Sequence, residues 1–133
     1  SLASVFLNKN TFNDDISKWD TSNVVNMDST FSGAYSFNQP LTNWRTAKVT
    51  SMKETFYSAN GQPKCNFNQP LSHWDTALVT RIDRMFNNCG SFNQPLSTWD
   101  TARVQTMYAT FGNTAFNQDI SGWKTLSVTS LSY

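Results

Sequence analysis

The chain repeats one short phrase five times, and this limits what it can fold into more than any other feature. Phe12-Asn13-Asp14-Asp15-Ile16-Ser17-Lys18-Trp19-Asp20-Thr21 returns as Phe37-Asn38-Gln39-Pro40-Leu41-Thr42-Asn43-Trp44-Arg45-Thr46, and again from Phe67, Phe92 and Phe116. The opening Phe residues lie 25, 30, 25 and 24 positions apart, and Trp19, Trp44, Trp74, Trp99 and Trp123 keep the same spacings. A fixed period in this range means that one small unit stacks on copies of itself and buries its apolar side chains as columns. Such a body offers a long, regular outer surface rather than an enclosed catalytic pocket.

Within one unit, Phe92, Leu96, Trp99, Val104, Met107 and Phe111 are the apolar positions. The spacing Val104-x-x-Met107-x-x-x-Phe111 is i, i+3, i+7, which predicts two turns of helix with one buried stripe. Val49-Met52-Phe56 and Val79-Ile82-Phe86 repeat it. Around Trp99 and Thr101 the step is two, which predicts a short strand. Residues 1–133 therefore read as a single α/β repeat solenoid of about five strand–short helix coils, with repeats starting near 12, 37, 67, 92 and 116. Residues 1–11 read as the end of a preceding repeat.

Two polar columns accompany the apolar ones. Thr21, Thr46, Thr76, Thr101 and Thr125 each stand three residues before a helical stretch, where a hydroxyl would cap it; a single such column is too narrow for an ice-binding face. Asn13, Asn38, Asn68, Asn93 and Asn117 follow each Phe directly, as side chains that satisfy backbone groups coil after coil. Pro40, Pro70 and Pro95 fix the chain two residues later.

Charge and length exclude several classes. A net charge of +1 over 133 residues leaves no basic stripe for nucleic acid. No apolar run reaches the roughly 18 residues of a membrane span. Two cysteines and one histidine do not make a zinc site, so no metal or other cofactor is expected. Cys65 and Cys89 fall near equivalent positions of neighbouring repeats. They read either as a disulfide across a spacing of about 5 Å, implying an oxidising compartment, or as a buried free Cys89 in place of Ala34 and Ala59.

The period breaks once, before Phe67, where Asn60, Gly61, Gln62, Pro63 and Lys64 belong to an insert at about 60–65. Insertions in stacked repeats map to loops on one face, either a binding face or a tolerated bulge. At the ends, Leu2 and Phe6 match the close of a preceding repeat, and Val128 and Leu131 stop short of the next Phe. The reading is a piece of a longer array with ends able to stack.

If Trp and Thr face inward, the residues flanking Trp face out. These are Lys18 and Asp20, Asn43 and Arg45, His73 and Asp75, Thr98 and Asp100, and Gly122 and Lys124. Their type and charge vary while the inward columns barely change, which suits either a partner-specific surface or an ordinary solvated face. His73 and Asp75, two apart on one strand face, could be mistaken for an acid–base pair, but spacing implicates no Ser or Cys nucleophile or third group, and no enzymatic activity is expected.

The string F-N-Q-P-L-S-x-W-D-T-x-x-V-x-x-M-x-x-x-F, nearly intact from Phe67 and from Phe92, closely resembles the 25-residue repeat of BspA-like surface proteins. These are mycoplasma lipoprotein-type repeats and distant relatives of leucine-rich repeats. The resemblance spans essentially the whole chain and implies a leucine-rich-repeat-like, right-handed curved solenoid with a sheet on one face. It also implies an extracellular or cell-surface location and a role in adhesion. Arg45 and Lys124 depart from the Asp found at Asp20, Asp75 and Asp100, which touches ligand identity rather than fold. The expectation is a non-enzymatic module that binds a protein or cell-surface ligand through the outward columns. The alternative is a building block that stacks head to tail on further copies of itself.

Overall fold

The computed structural model describes residues 1–130. They wind into stacked coils over 12–36, 37–66, 67–91, 92–115 and 116–130, with a partial coil over 1–11 ahead of them. No helix and no extended strand forms among the described residues; each coil is a succession of tight turns. The α/β, leucine-rich-repeat-like solenoid of strand–helix coils expected from the sequence is therefore overturned. Copies do stack, but by a different use of the backbone.

The segment read as helix shows that use most clearly. In the first coil the N–H groups of Met27, Ser29, Phe31 and Gly33 donate to the carbonyls of Ser51, Lys53, Thr55 and Tyr57 in the second, at 2.8–3.0 Å. The alternate N–H groups, of Thr30, Ser32 and Ala34, donate back three residues to Met27, Ser29 and Phe31. Every donor is satisfied, half within the coil and half between coils, as a buried backbone requires. The third coil repeats the scheme from Ile82, Arg84, Phe86 and Asn88 to the fourth.

Such a chain of turns needs left-handed backbone at fixed places. Ser4, Ser29, Glu54, Arg84 and Ala109 have φ between 49° and 60°, and Asn8, Gly33, Asn88 and Asn113 sit four residues further on, also with positive φ. A positive φ at the third residue is what a type II turn demands, and no helix accommodates it. The apolar spacing alone does not separate the two outcomes. Two turns of helix rich in Ser, Thr and Val are too short to hold by themselves, whereas stacked turns find acceptors on the neighbouring coil.

The predicted sheet is also absent at the Trp positions, where the chain turns from Leu41 to Trp44 and from Thr46 to Val49. Parallel pairing is confined to isolated bridges joining Asn26, Ser51, Arg81, Thr106 and Ser130 in sequence, two residues after each Val. The Thr column caps no helix. Thr21, Thr46, Thr76 and Thr101 are buried, and each hydroxyl donates to the carbonyl of the residue before the next repeat's Thr: Arg45, Asp75, Asp100 and Lys124.

The core consists of aromatic columns. All ten Phe residues lie in two of them, which meet at 3.8–4.2 Å between ring centroids where one coil passes into the next, as in Phe86–Phe92 and Phe31–Phe37. Along each column they step by 5.3–6.3 Å, as in Phe6–Phe31 and Phe67–Phe92. Leu41, Leu71, Leu96 and Met52 fill the space beside them without exposure. Rings stacked nearly parallel at these distances add attraction beyond the apolar area they bury. The Asn column is a ladder: the side-chain oxygens of Asn13, Asn38, Asn68 and Asn93 accept the backbone N–H of Asn38, Asn68, Asn93 and Asn117 at 2.9–3.0 Å. Cys65 and Cys89 are joined as a disulfide with their Cα atoms 4.4 Å apart, fastening the end of the second coil to the third.

Candidate functional site

The turns that bury Trp44, Trp74 and Trp99 leave the residues on either side of each ring in solvent. Lys18, Asp20, Asn43, Arg45, His73, Asp75, Thr98 and Asp100 are all exposed. The structure brings six of the eight together. Lys18, Asp20, Asn43 and Arg45 line a hollow of about 480 Å³ between the first and second coils, with Ser17, Trp19 and Ser22. Asn43, Arg45, His73 and Asp75 line a larger one of about 720 Å³ between the second and third coils, with Thr42, Trp44, Thr46 and Ala47. Asn43 and Arg45 belong to both, so the hollows form one trough across three coils.

Several of these side chains hold the backbone as well. Asp20, Asp75 and Asp100 accept the N–H two residues on, from Ser22, Ala77 and Ala102, at 3.0 Å. Hydrogen bonds from the Ser22 hydroxyl and N–H hold the Asp20 carboxyl below its ordinary pKa. Where Arg45 replaces Asp, its N–H goes instead to the Thr21 hydroxyl at 2.7 Å, and Lys124 does the same to Thr101. Among the described residues the Arg45 side chain forms no ion pair, though its charge helps keep the Asp20 carboxyl low. Thr98 is placed apart on the fourth coil, its hydroxyl donating to the Ser72 carbonyl at 2.6 Å.

One feature of the trough was hidden from sequence reasoning. In three coils the indole N–H of a Trp donates to the Ile or Leu carbonyl of the coil before: Trp44 to Ile16, Trp99 to Leu71 and Trp123 to Leu96, at 3.0–3.2 Å. The equivalent acceptor for Trp74 is Leu41, but His73 Nε2 donates to that carbonyl at 3.0 Å. The buried indole N–H of Trp74, a residue 2% exposed, is left without a partner among the described residues. The only sequence signal was that the single His of the chain stands in a column of Lys, Asn, Thr and Gly.

The insert, Asn60, Gly61, Gln62, Pro63 and Lys64, lies exposed at the other side of the coil. It is pinned rather than loose: Ser58 Oγ donates to the Pro63 carbonyl at 2.6 Å and Asn88 Nδ2 to Asn60 Oδ1 at 3.0 Å. Gln62 borders a hollow of about 370 Å³ with Tyr35 and Asn10, and Lys64 borders one of about 480 Å³ with Asn113. Of the stacking positions, Leu2 and Val128 are partly buried, Phe6 packs between Phe12 and Phe31, and Leu131 lies outside the described residues. Among the described residues no group of three His, Cys, Asp or Glu side chains is placed to hold a metal, and no helix is long and apolar enough to cross a membrane.

Comparison with known proteins gives one family. Its profile, described as a Mycoplasma protein of unknown function, DUF285, matches residues 1–62 and again residues 60–133, the two matches meeting in the insert. No curated protein and no solved structure matches the chain.

Proposed function

The chain belongs to the DUF285 family, and on that premise we propose that it is a non-enzymatic module, displayed at the cell surface or secreted, that holds a protein partner in the trough of its outward columns. The observation that carries this reading is the trough itself: Asn43 and Arg45 sit at its centre, exposed and shared by both hollows. The inward Phe, Trp, Thr and Asn columns are constant and spent on packing and hydrogen bonds between coils. The outward positions vary, and variation on a constant frame is how repeat scaffolds acquire partners.

The disulfide supports an oxidising, extracellular setting, and the resemblance to BspA-like surface proteins supports adhesion as the purpose. His73 and Asp75 serve the backbone through Leu41 and Ala77 rather than each other, which supports a binding rather than a catalytic role. A variant carrying Lys18→Ser, Arg45→Ser and Asp75→Asn tests the assignment, since Asn keeps the turn contact to Ala77. Labelled protein should lose attachment to cell or matrix surfaces while its melting temperature holds. Attachment at wild-type level would remove the trough from consideration.

A second reading, stacking of copies through Leu2, Phe6 and Val128, is favoured by Val5, Leu7 and Trp19, which are 40–43% exposed at that end. Growth of particle mass with concentration in light scattering supports it; a constant mass of one chain rejects it.

A further inference from the structure

The Leu41 carbonyl has more claimants than lone pairs. Trp44 N–H occupies one at 3.0 Å and His73 Nε2 the other at 3.0 Å. In the neighbouring coils that second place belongs to the indole of the next coil's Trp. The buried Trp74 N–H thus stands displaced from its own acceptor by an exposed side chain from the adjacent position. A buried donor left unmade is costly, and its cost disappears once His73 finds another acceptor. That acceptor would sit in the larger hollow, where Arg45 presents a guanidinium with no ion pair and Asp75 has one oxygen tied to Ala77 and one without a partner among the described residues.

We propose that this hollow binds an acidic side chain of a polypeptide partner, Arg45 and His73 holding the carboxylate while Trp74 takes over the Leu41 carbonyl. The inference rests on the reading of the trough as a binding surface and names the chemistry it recognises. Arg45 suits the charge because its planar fork meets a carboxylate through two parallel hydrogen bonds. Asp75 suits a donor beside that carboxylate, which the peptide N–H of an Asp or Glu residue supplies. Among the described residues the only Trp, Tyr or Phe lining this hollow, Trp44, is 3% exposed and offers no broad stacking platform of the kind a sugar ring would use. His73 exchanges one hydrogen bond for another and Trp74 gains one, so binding is strengthened by what the free protein lacks. Relief of one unsatisfied buried donor corresponds to about 5- to 150-fold in affinity.

The test uses ¹⁵N-labelled protein and the five indole N–H resonances, one for each Trp. N-acetyl-aspartyl amide is the probe, with glucuronate as the sugar-acid comparison. Adding the aspartyl probe should shift the Trp74 resonance downfield and slow its solvent exchange, leaving the other four in place. His73→Ser should move Trp74 to that position without probe, and Arg45→Gln should abolish the response. Trp74→Phe, which has no donor to rescue, should bind the probe about 5- to 150-fold more weakly if its melting curve shows it folded. A Trp74 resonance unmoved by His73→Ser would overturn the competition. One unmoved by saturating probe would overturn the carboxylate site, and tighter binding of glucuronate would overturn the polypeptide assignment. Loss of surface attachment in the trough variant alongside a silent Trp74 would retain the trough and reject this chemistry; intact attachment would reject both.

Discussion

Breaking the Cys65–Cys89 bridge gives the sharpest test of how the coils are fastened. The bridge closes a loop of 24 residues. Closure of a loop that size removes denatured-chain entropy worth about 3.4 kcal/mol at room temperature in the chain-entropy account. Domains are generally stable by only about 5–15 kcal/mol, so the loss would be large. Two ways of removing the bridge separate the contributions. Reduction leaves both sulfur atoms in place and so reads loop closure alone. The double variant Cys65→Ala and Cys89→Ala adds the packing of two side chains that are 5% and 0% exposed. Ala34 occupies the equivalent position of the first repeat, so alanine at 89 fits the turn. Urea unfolding followed by tryptophan fluorescence should show reduced protein losing about 3 kcal/mol. The denaturant slope should rise, because the unfolded chain is no longer cross-linked. The double variant should lose slightly more. A loss under about 1 kcal/mol on reduction with an unchanged slope would refute loop closure as the source.

Other expectations follow from single contacts. Asn68→Ala leaves the Asn93 N–H and the Gln94 amide without the oxygen both use, and should cost about 1–3 kcal/mol in urea unfolding; Asn68→Asp keeps that oxygen, so an equal loss would disprove the ladder. Ala109 is held at φ 49°, and Ala109→Gly should raise stability by about 1 kcal/mol, read as a higher melting temperature; a lower one would mean that the turn imposes no strain. The Asp20 carboxyl is lowered chiefly by the Ser22 hydroxyl and then by its N–H. A lowered folded value contributes stability above the ordinary carboxylate range of about 4 that is lost as pH falls through it. Asp20→Asn, which keeps the turn oxygen and cannot titrate, should therefore flatten the fall in melting temperature below about pH 4; an unchanged slope would place the acid sensitivity elsewhere.

The stacking and its columns were legible because repetition is written directly in the positions of Phe, Trp, Val and Asn. The burial of Trp44, Trp74 and Trp99 and the Asn contacts to backbone follow from that alone. The local backbone was not legible, because Val, Met and Phe at i, i+3 and i+7 are served equally by helix turns and by linked type II turns. The deciding residues were Gly33, Asn8, Asn88 and Asn113, one in most repeats, at positions where a helix would not want them and a left-handed turn does. The exposed residues of the trough could be named, since they flank buried Trp. Their hydrogen bonds could not, because the Asp contacts, the hydroxyl that replaces them beside Arg45 and the His73–Trp74 conflict depend on how one coil lies on the next.

The rows of hydrogen bonds between coils also carry a direction. From Leu2, Ser4, Phe6 and Asn8 to the second-coil group of Met52, Glu54, Phe56 and Ser58, each set of four N–H groups points toward the following coil. Thr50, Thr80, Gln105 and Thr129 point the other way, as do Ser36, Asn66 and the N–H groups of the Asn ladder. Peptide dipoles lined up head to tail add along their axis, as they do in a helix. Along these rows of four the stack is thus electrically polar, its amides aimed at the following coil and its carbonyls at the one before. That polarity grows with each coil added, and it sets the sense in which anything continuing the pattern must lie.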